Sequence, residues 1–171
     1  CHTAHAVQDW VDEETGETLP EARAIIPQTC AQCHYEIYQT YLTSVHGKKN
    51  LEGDQNVATC VDCHGAHGIQ GVNNPSSPVY ATNVAATCGR CHGDPKRMAS
   101  YRISTDQQEL YGRSVHGEAL MKQRDLSAPT CNDCHGNHGA APPGVDSVAN
   151  VCGQCHVTQW NLFNESPHRE G

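Results

Sequence analysis

The chain has few of the large apolar side chains from which a protein core is normally built. Its 171 residues include one Phe, two Trp, two Met and six Tyr, so aromatic residues make up 5%. A sequence this poor in bulky apolar groups has difficulty offsetting the entropy of ordering its backbone. Composition alone therefore favours disorder, unless the chain binds something that brings its own apolar surface.

Two further absences narrow the range of functions. No apolar run approaches the roughly 20 residues of a membrane-spanning helix, so no transmembrane segment is predicted. The Lys and Arg residues are scattered through a chain of net charge −8, whereas nucleic-acid binding needs them clustered on one face. The sequence therefore predicts no nucleic-acid partner.

Cysteine and histidine are abundant instead, with 11 and 12 copies. Five copies of Cys-x-x-Cys-His occur, and this pattern is the attachment signature of c-type haem. Both sulfurs bond covalently to the porphyrin, and the adjacent histidine reaches the iron. The predicted attachment cysteines of the complete motifs are Cys30, Cys33, Cys60, Cys63, Cys88, Cys91, Cys131, Cys134, Cys152 and Cys155.

Residues 1–5 read Cys-His-Thr-Ala-His and match the Cys-His-x-x-His of residues 63–67 and 134–138. We interpret Cys1 and His2 as the end of a sixth haem motif whose first cysteine precedes the residues shown. The alternative is a lipoprotein in which Cys1 carries a lipid anchor. Six haems are expected under the first interpretation, and five if Cys1 is not an attachment cysteine.

The histidines divide evenly into two sets, as one bis-histidine iron per motif requires. Those that directly follow a cysteine are predicted proximal iron ligands: His2, His34, His64, His92, His135 and His156. The remainder are predicted distal ligands: His5, His46, His67, His116, His138 and His168. No residue is predicted to be catalytic.

Some distal histidines follow a motif too closely to serve its own haem. His138 lies three residues after His135, so on a helix both would project from nearly the same face, whereas one iron needs its axial ligands on opposite faces of the porphyrin. His5, His67 and His138 are therefore expected to bind a neighbouring haem. The sequence leaves open which distal histidine serves which haem.

The motifs recur in a fixed order: Cys-x-x-Cys-His-x-x-His, a connection, a second Cys-x-x-Cys-His, and then an aromatic residue and Ser-x-His. We therefore predict one domain of three dihaem repeats, at about 1–46, 47–116 and 117–171, with the first truncated at its N-terminus. Within the first repeat, residues 9–29 are expected to be mostly loop and residues 31–46 a helix.

Cys-x-x-Cys pairs also occur in zinc sites and disulfides. A zinc site built from two such pairs does not need a histidine after every second cysteine, yet every complete pair here has one. A thioredoxin-type pair would occur once, beside a strand and a helix. The pattern therefore favours haem.

These residues resemble the multihaem c-type cytochromes with paired Cys-x-x-Cys-His motifs, and the resemblance covers essentially the whole chain. It implies covalent haem attachment in a periplasmic or extracellular location, and a mostly irregular fold of short α-helices with stacked haems and little or no β-sheet. Redox proteins or terminal electron acceptors are the implied partners. Some members form extracellular filaments in which one subunit supplies a histidine to the next subunit's haem.

The expected function is electron transfer along closely spaced bis-histidine haems, without chemistry at any iron. Two imidazoles lower the reduction potential compared with His/Met ligation, and they leave no iron position open for a substrate. The alternative is a multihaem reductase of a small oxyanion, which needs one open haem site. A lysine in place of a motif histidine would indicate such a site, and the sequence contains no Cys-x-x-Cys-Lys.

Overall fold

The computed structural model describes residues 10–16, 19–144 and 148–170. The described residues fold into short helices joined by turns, and none of them lies in a β-strand beyond an isolated bridge at Val11. The predicted fold class is therefore confirmed. The helices are α1 (Pro20–Ala31), α2 (Tyr35–Thr43), α3 (Val45–Leu51), α4 (Cys60–His64), α5 (Ala81–His92), α6 (Pro95–Met98), α7 (Gln107–Gly112), α8 (Val115–Met121), α9 (Cys131–His135), α10 (Val148–Gly153) and α11 (Val157–Asn164), with 3₁₀ turns at Ala99–Tyr101 and Pro167–Glu170.

The loop expected over residues 9–29 is wrong in its second half, because α1 begins at Pro20. A proline in the first turn costs no hydrogen bond, since its missing N–H would have no helical partner there. Pro27 lies inside the same helix and cannot donate to the carbonyl of Arg23. The side-chain amide of Asn50 donates to this carbonyl instead, at 3.4 Å. This contact fastens α3 to α1 while α1 continues to its haem motif.

The single helix expected over residues 31–46 is also wrong, because Ser44 separates α2 from α3. Ser44 is extended, with φ −70° and ψ 163°. Its hydroxyl accepts a hydrogen bond from the backbone N–H of Gly47 at 2.9 Å and donates to the carbonyl of Tyr41 at 2.6 Å. Serine is a favoured residue at helix starts for this reason. The break places His46 in the first turn of a new helix.

The side-chain core is small for a chain of this length. Leu120 is fully buried, but many large apolar side chains stand in solvent beside the cysteines and histidines. Exposed examples are Tyr35, Leu51, Leu110, Val115, Val157 and Leu162. This balance follows from the scarcity of apolar residues in the sequence. Among the described helices, none has the length and apolar character needed to cross a membrane.

Candidate haem sites

Two of the Cys-x-x-Cys-His motifs form complete short helices, α4 and α9. A threonine precedes each helix, and its backbone N–H donates to the aspartate inside the motif. The distance is 2.6 Å from Thr59 to Asp62 and 2.7 Å from Thr130 to Asp133. Such a contact satisfies a backbone donor at the start of the helix. It holds both cysteines and the histidine of the motif on one turn.

A glycine in the left-handed region ends each of these helices. Gly65 has φ 78° and Gly136 has φ 84°, values that side-chain-bearing residues rarely adopt. The helix therefore stops directly after the motif histidine. The sequence interpretation assumed a helix on which His135 and His138 project from nearly the same face. This assumption is wrong, because α9 ends before His138.

The other complete motifs lie at the C-terminal ends of longer helices. Cys30 occupies the last turn of α1, and Cys152 lies near the end of α10. Helix α5 ends with the motif at residues 88–92. In two cases the motif histidine directly precedes the next helix: His34 before α2 and His156 before α11. These motifs therefore sit at junctions between helices.

The Ser-x-His segments share one local geometry. At the start of α8 the hydroxyl of Ser114 accepts from the backbone N–H of Gly117 at 3.1 Å and donates to the carbonyl of Tyr111 at 2.7 Å. These are the same two bonds that Ser44 makes at α3. The hydroxyl of Ser166 likewise donates to the carbonyl of Phe163, at 2.7 Å. The histidine two residues after each serine is thus placed in a comparable backbone setting.

A glycine after the histidine makes this turn possible at α3 and α8. A Cβ added to Gly47 would overlap the carbonyl of Tyr41, and a Cβ on Gly117 would overlap the carbonyl of Tyr111. Both obstacles are backbone atoms, which cannot move aside as a flexible side chain can. The close approach therefore requires glycine and fixes the direction in which His46 leaves its helix.

Three pairs of imidazole rings face each other in the described part of the chain. Each pair joins a histidine that directly follows a cysteine with a histidine of the second set, which lies outside that motif. The ring centroids are 6.1 Å apart for His46 and His92, 6.0 Å for His64 and His138, and 6.0 Å for His116 and His156.

One iron between the rings accounts for this spacing. A metal–imidazole bond is about 2.0–2.1 Å, and a ring nitrogen lies about 1 Å from its ring centroid, so two imidazoles on one metal have centroids about 6 Å apart. Beside one member of each pair lie the two cysteines of its motif. Two imidazoles and two thioether sulfurs form the donor set of a bis-histidine haem c, so the residues present fit the group.

Burial favours the neutral form of four of the paired imidazoles. It is the first cause that lowers the pKa of His46, His64, His92 and His138, and a neighbouring imidazole lowers each of them further. A neutral imidazole is the form that binds a metal. The protein thus prepares these side chains as ligands.

Motifs that follow each other in the sequence are neighbours in space. Helix α1, which carries Cys30, packs on α4, which begins at Cys60, and burial together with the neighbouring Cys30 raises the pKa of the free Cys60 thiol to about 12. Helix α5 likewise packs on α9, and the neighbouring Cys131 together with burial raises the pKa of the free Cys88 thiol. In both places the first cysteines of two successive motifs are neighbours.

The remaining neighbours meet through a second cysteine. Burial is the main cause that raises the pKa of the Cys63 thiol. Asp62 raises this pKa further, and the nearby Cys91 makes a smaller contribution in the same direction. Burial also raises the pKa of the Cys134 thiol, and the nearby Cys152 is the second largest cause of this increase. Each complete motif therefore has the next motif of the sequence as a neighbour in space.

Asp62 ties three of these motifs together. Its carboxylate accepts from Nη2 of Arg23 at 2.9 Å, and Arg23 also donates to the carbonyl of Val57 at 2.7 Å. Arg90, inside the motif that ends α5, donates to the backbone carbonyl of Asp62 at 2.6 Å. Burial acts to raise the pKa of Asp62, but hydrogen bonds from Thr59 and Arg23 outweigh it and the pKa is lowered.

Sequence reasoning missed these supporting residues. The signal for the caps was present, since Thr-Cys-x-Asp-Cys-His occurs at residues 59–64 and again at 130–135. Arg23 had no such signal, because it lies in a segment that was expected to be loop. Its partner is 39 residues away in the sequence.

Several predicted histidine ligands do not form an imidazole pair within the described part of the chain. His34 lies beside the pair of His64 and His138, and His135 lies beside His92, but no described ring faces either of them. His168 is exposed in the last 3₁₀ turn and also faces no described ring. His67 lies among the described residues and has a contact of its own, but it belongs to none of the three pairs. Cys1, His2 and His5 lie outside the described part of the chain.

Zinc sites and disulfides are the other common roles of Cys-x-x-Cys pairs. Within the described residues, no group of three or more His, Cys, Asp or Glu side chains could hold a metal ion. The ten described cysteines form no disulfide. Each Cys-x-x-Cys pair instead stands beside an imidazole, as haem attachment requires.

Short helices arranged around Cys-x-x-Cys-His motifs and facing imidazoles define a multihaem c-type cytochrome, and the chain belongs to this class. More particularly, the family model described as cytochrome c3 matches residues 73–157, about half of the chain. No curated protein and no solved structure matches the chain. The protein is thus an electron-transfer cytochrome that binds haem c.

Proposed function

We propose that the protein carries electrons along a row of bis-histidine haems held in sequence order. The observation that supports this most directly is the set of three imidazole pairs, each with centroids 6.0–6.1 Å apart. Bound haem c supplies one-electron oxidation and reduction. The chain's own residues attach each porphyrin, provide both axial ligands and thereby close the iron to other molecules.

In this proposal every cysteine of the five complete motifs is an attachment residue, and the ligand pairs follow the ring contacts. The motif at 88–92 uses His92 with His46, and the motif at 60–64 uses His64 with His138. The motif at 152–156 uses His156 with His116. Since each second ligand comes from outside the motif that it serves, ligation itself ties separate segments of the chain together.

The order of the motifs supports transfer from one haem to the next. The helices that carry Cys30 and Cys60 pack together, and so do those that carry Cys88 and Cys131, which brings the attachment points of successive porphyrins close to each other. Electron hopping needs such adjacency. A row in sequence order gives the electron an entry at one end of the molecule and an exit at the other.

The number of haems and the location of the protein are part of the same proposal. We infer three dihaem repeats and six haems, with Cys1 and His2 completing the sixth site. Covalent haem attachment supports a location in the periplasm or outside the cell, with redox proteins or terminal electron acceptors as partners.

The first test is the intact mass of the purified holoprotein together with its spin state. Haem should remain on the chain after denaturation, and the mass should correspond to six haems. Electron paramagnetic resonance of the oxidised protein should show low-spin iron at the three paired sites. A protein that lost its haem in denaturant, or that showed high-spin iron throughout, would contradict the proposal.

A reductase remains the second candidate, because of one specific observation. His34 and His135 face no described ring, and a reductase needs an iron with an open position. The test is turnover of a small nitrogen or sulfur oxyanion by the reduced protein, with added imidazole as inhibitor. Rapid turnover that imidazole abolishes would favour the enzyme over the electron carrier.

A further inference from the structure

Two of the haem motifs are built alike but differ in the charges around them. The motifs at 60–64 and 131–135 form the short helices α4 and α9. Each contains one aspartate, Asp62 or Asp133, whose carboxylate accepts from the backbone N–H of the preceding threonine. An aspartate carries a negative charge at neutral pH. Each motif therefore places one such charge beside the porphyrin that it attaches.

The charge of Asp62 is compensated by cations. Its carboxylate accepts from Nη2 of Arg23 at 2.9 Å, and the two side chains are 30% and 18% exposed. Arg23 also donates to the carbonyl of Val57 at 2.7 Å, which holds the guanidinium in place. A second guanidinium, that of Arg90, donates to the backbone carbonyl of Asp62 at 2.6 Å. One carboxylate and two guanidinium groups thus surround this motif.

Asp133 has no such compensation in the described part of the chain. No described Lys or Arg forms an ion pair with it, and its other side-chain contact is the amide of Asn132 at 3.4 Å. The two motifs also differ in burial. The cysteines and the histidine at 60–64 are all half-buried, whereas Cys134 and His135 are exposed.

Both differences act on the reduction potential in the same direction. Ferric haem carries one more positive charge than ferrous haem, so a nearby negative charge and contact with water favour the ferric form and lower the potential. A nearby positive charge and burial favour the ferrous form and raise it. The site of His64 should therefore have a higher potential than the site of His135.

A third motif connects these two sites. The motif at 88–92 contributes Arg90 to the surroundings of Asp62. Helix α5, which ends with that motif, packs on α9, which carries His135. The motif at 88–92 therefore contacts both sites, and a difference in potential between them acts across it.

We propose that Arg23 and Arg90 hold the iron at His64 at a higher potential than the iron at His135, and so give the row of haems a direction. One electron leaves the iron at His135, which is oxidised, and reduces the iron at His64, with no proton or further reactant needed. Arg23 acts through its charge rather than as an iron ligand. The proposal rests on the proposed function, since it gives a direction to the electron transfer inferred there.

The test is a redox titration of the holoprotein in which nuclear magnetic resonance of labelled histidines reports each iron separately. In the parent protein the iron at His64 should be reduced before the iron at His135. Arg23→Gln removes the cation and keeps an amide that can donate to Val57. It should lower the potential at His64 and change the ratio of reduced iron at the two sites by about tenfold, the order of effect of one unit charge beside a partly buried group.

Opposite charge changes separate an electrostatic role from a structural one. Asp62→Asn leaves both guanidinium groups without a carboxylate and should raise the potential at His64. Combining it with Arg23→Gln restores the parental net charge and should return the potential toward the parental value. A merely structural role would not give opposite shifts that cancel. Arg23→Lys keeps the charge and should leave the potential near the parental value.

Two further variants complete the test. Asp133→Asn should raise the potential at His135 and narrow the difference between the sites, and it tests the proposal even if Arg23→Gln loses haem. Lys122→Gln is the control for loss of a cation, because Lys122 and its partner Glu118 are 69% and 45% exposed. Solvent and salt screen such a pair, so both potentials should stay unchanged.

Two results would overturn the proposal. One is a potential at His64 equal to or below that at His135 in the parent protein. The other is a potential at His64 that moves with neither Arg23→Gln nor Asp62→Asn. In both cases the irons still accept one electron each, so the proposed electron transfer stands. Haem sites that take up no electron reversibly would contradict electron transfer itself.

Discussion

The imidazole of His138 lies 6.0 Å, centroid to centroid, from that of His64, with the ring planes 16° apart. His135 is only three residues away from His138 in the chain but is not part of this ring pair. The helix that carries His135 ends at Gly136, whose φ of 84° redirects the backbone before His138 is reached. In the proposed ligation, this motif would hold one haem and supply a ligand to another.

This pairing predicts which site responds when His138 is removed. His138→Ala should convert one low-spin iron to high spin, and the change should appear at His64 rather than at His135. Nuclear magnetic resonance of histidine-labelled protein can follow both rings, because the spin state of an iron dominates the shifts of its ligands. A shift change confined to His135 would contradict the pairing. His138→Met should instead raise the potential of that one haem, since His/Met ligation raises potentials.

The glycine after the Ser-x-His segment should tolerate no side chain. Gly117→Ala drives a Cβ into the carbonyl of Tyr111, and such overpacking costs about 1–3 kcal/mol. Because His116 is the preceding residue, part of the iron at the His156 site should also become high-spin. Thermal unfolding and electron paramagnetic resonance measure the two effects.

Gly112 provides the matched control for this substitution. It ends α7, and a Cβ added there meets nothing within 4 Å. Gly112→Ala should leave the spin states unchanged and add stability of up to about 0.5–1 kcal/mol, because alanine loses less backbone entropy than glycine in a helix. Equal destabilisation by both substitutions would show that the tight approach at Gly117 is not the cause.

The carboxylate of Asp62 should matter more than that of Asp133, although both cap equivalent helices. Asn can keep the oxygen that accepts from the preceding threonine, so Asp133→Asn should cost less than about 0.5 kcal/mol. Asp62→Asn also removes the charge that faces Arg23, whose side chain is 18% exposed. Leaving this guanidinium without its partner should cost about 1–2 kcal/mol, a value reduced by partial solvent screening.

Thermal unfolding of the two holoproteins at neutral pH, with haem content checked first, measures this difference. Arg23→Ala in the Asp62→Asn background should add less destabilisation than Arg23→Ala alone, because the ion pair is already lost. Equal effects of the two Asp→Asn substitutions would contradict a stabilising role of the ion pair.

Two tyrosines should anchor the chain just before the capped motifs. The hydroxyl of Tyr41 donates to the carbonyl of Ala58 at 3.0 Å, and that of Tyr111 donates to the carbonyl of Pro129 at 3.0 Å. Tyr41→Phe and Tyr111→Phe should each cost about 0.5–1.5 kcal/mol in chemical denaturation, the net value of one hydrogen bond. Tyr35→Phe is the control, because Tyr35 is 60% exposed and should give no measurable change.

Local sequence patterns predict much of this protein. The Cys-x-x-Cys-His motif spans only one or two helical turns, so it identifies the cofactor wherever the motif lies in the fold. The Ser-x-His repeat also marks a real local geometry, since Ser44 and Ser114 make the same two hydrogen bonds. Helix bounds are less predictable: the contact of Asn50 with the carbonyl of Arg23 helps α1 to continue past Pro27, and it joins residues 27 apart.

The sequence by itself determined that this protein binds haem c and has too few apolar side chains to form a large core without it. Those properties depend on composition and short spacings, which folding does not alter. Only the tertiary structure decided that His64 faces His138 and that His46 faces His92. Any distal histidine has the same chemistry as any other, so the choice of partner depends on which helices pack together and where the backbone turns between them.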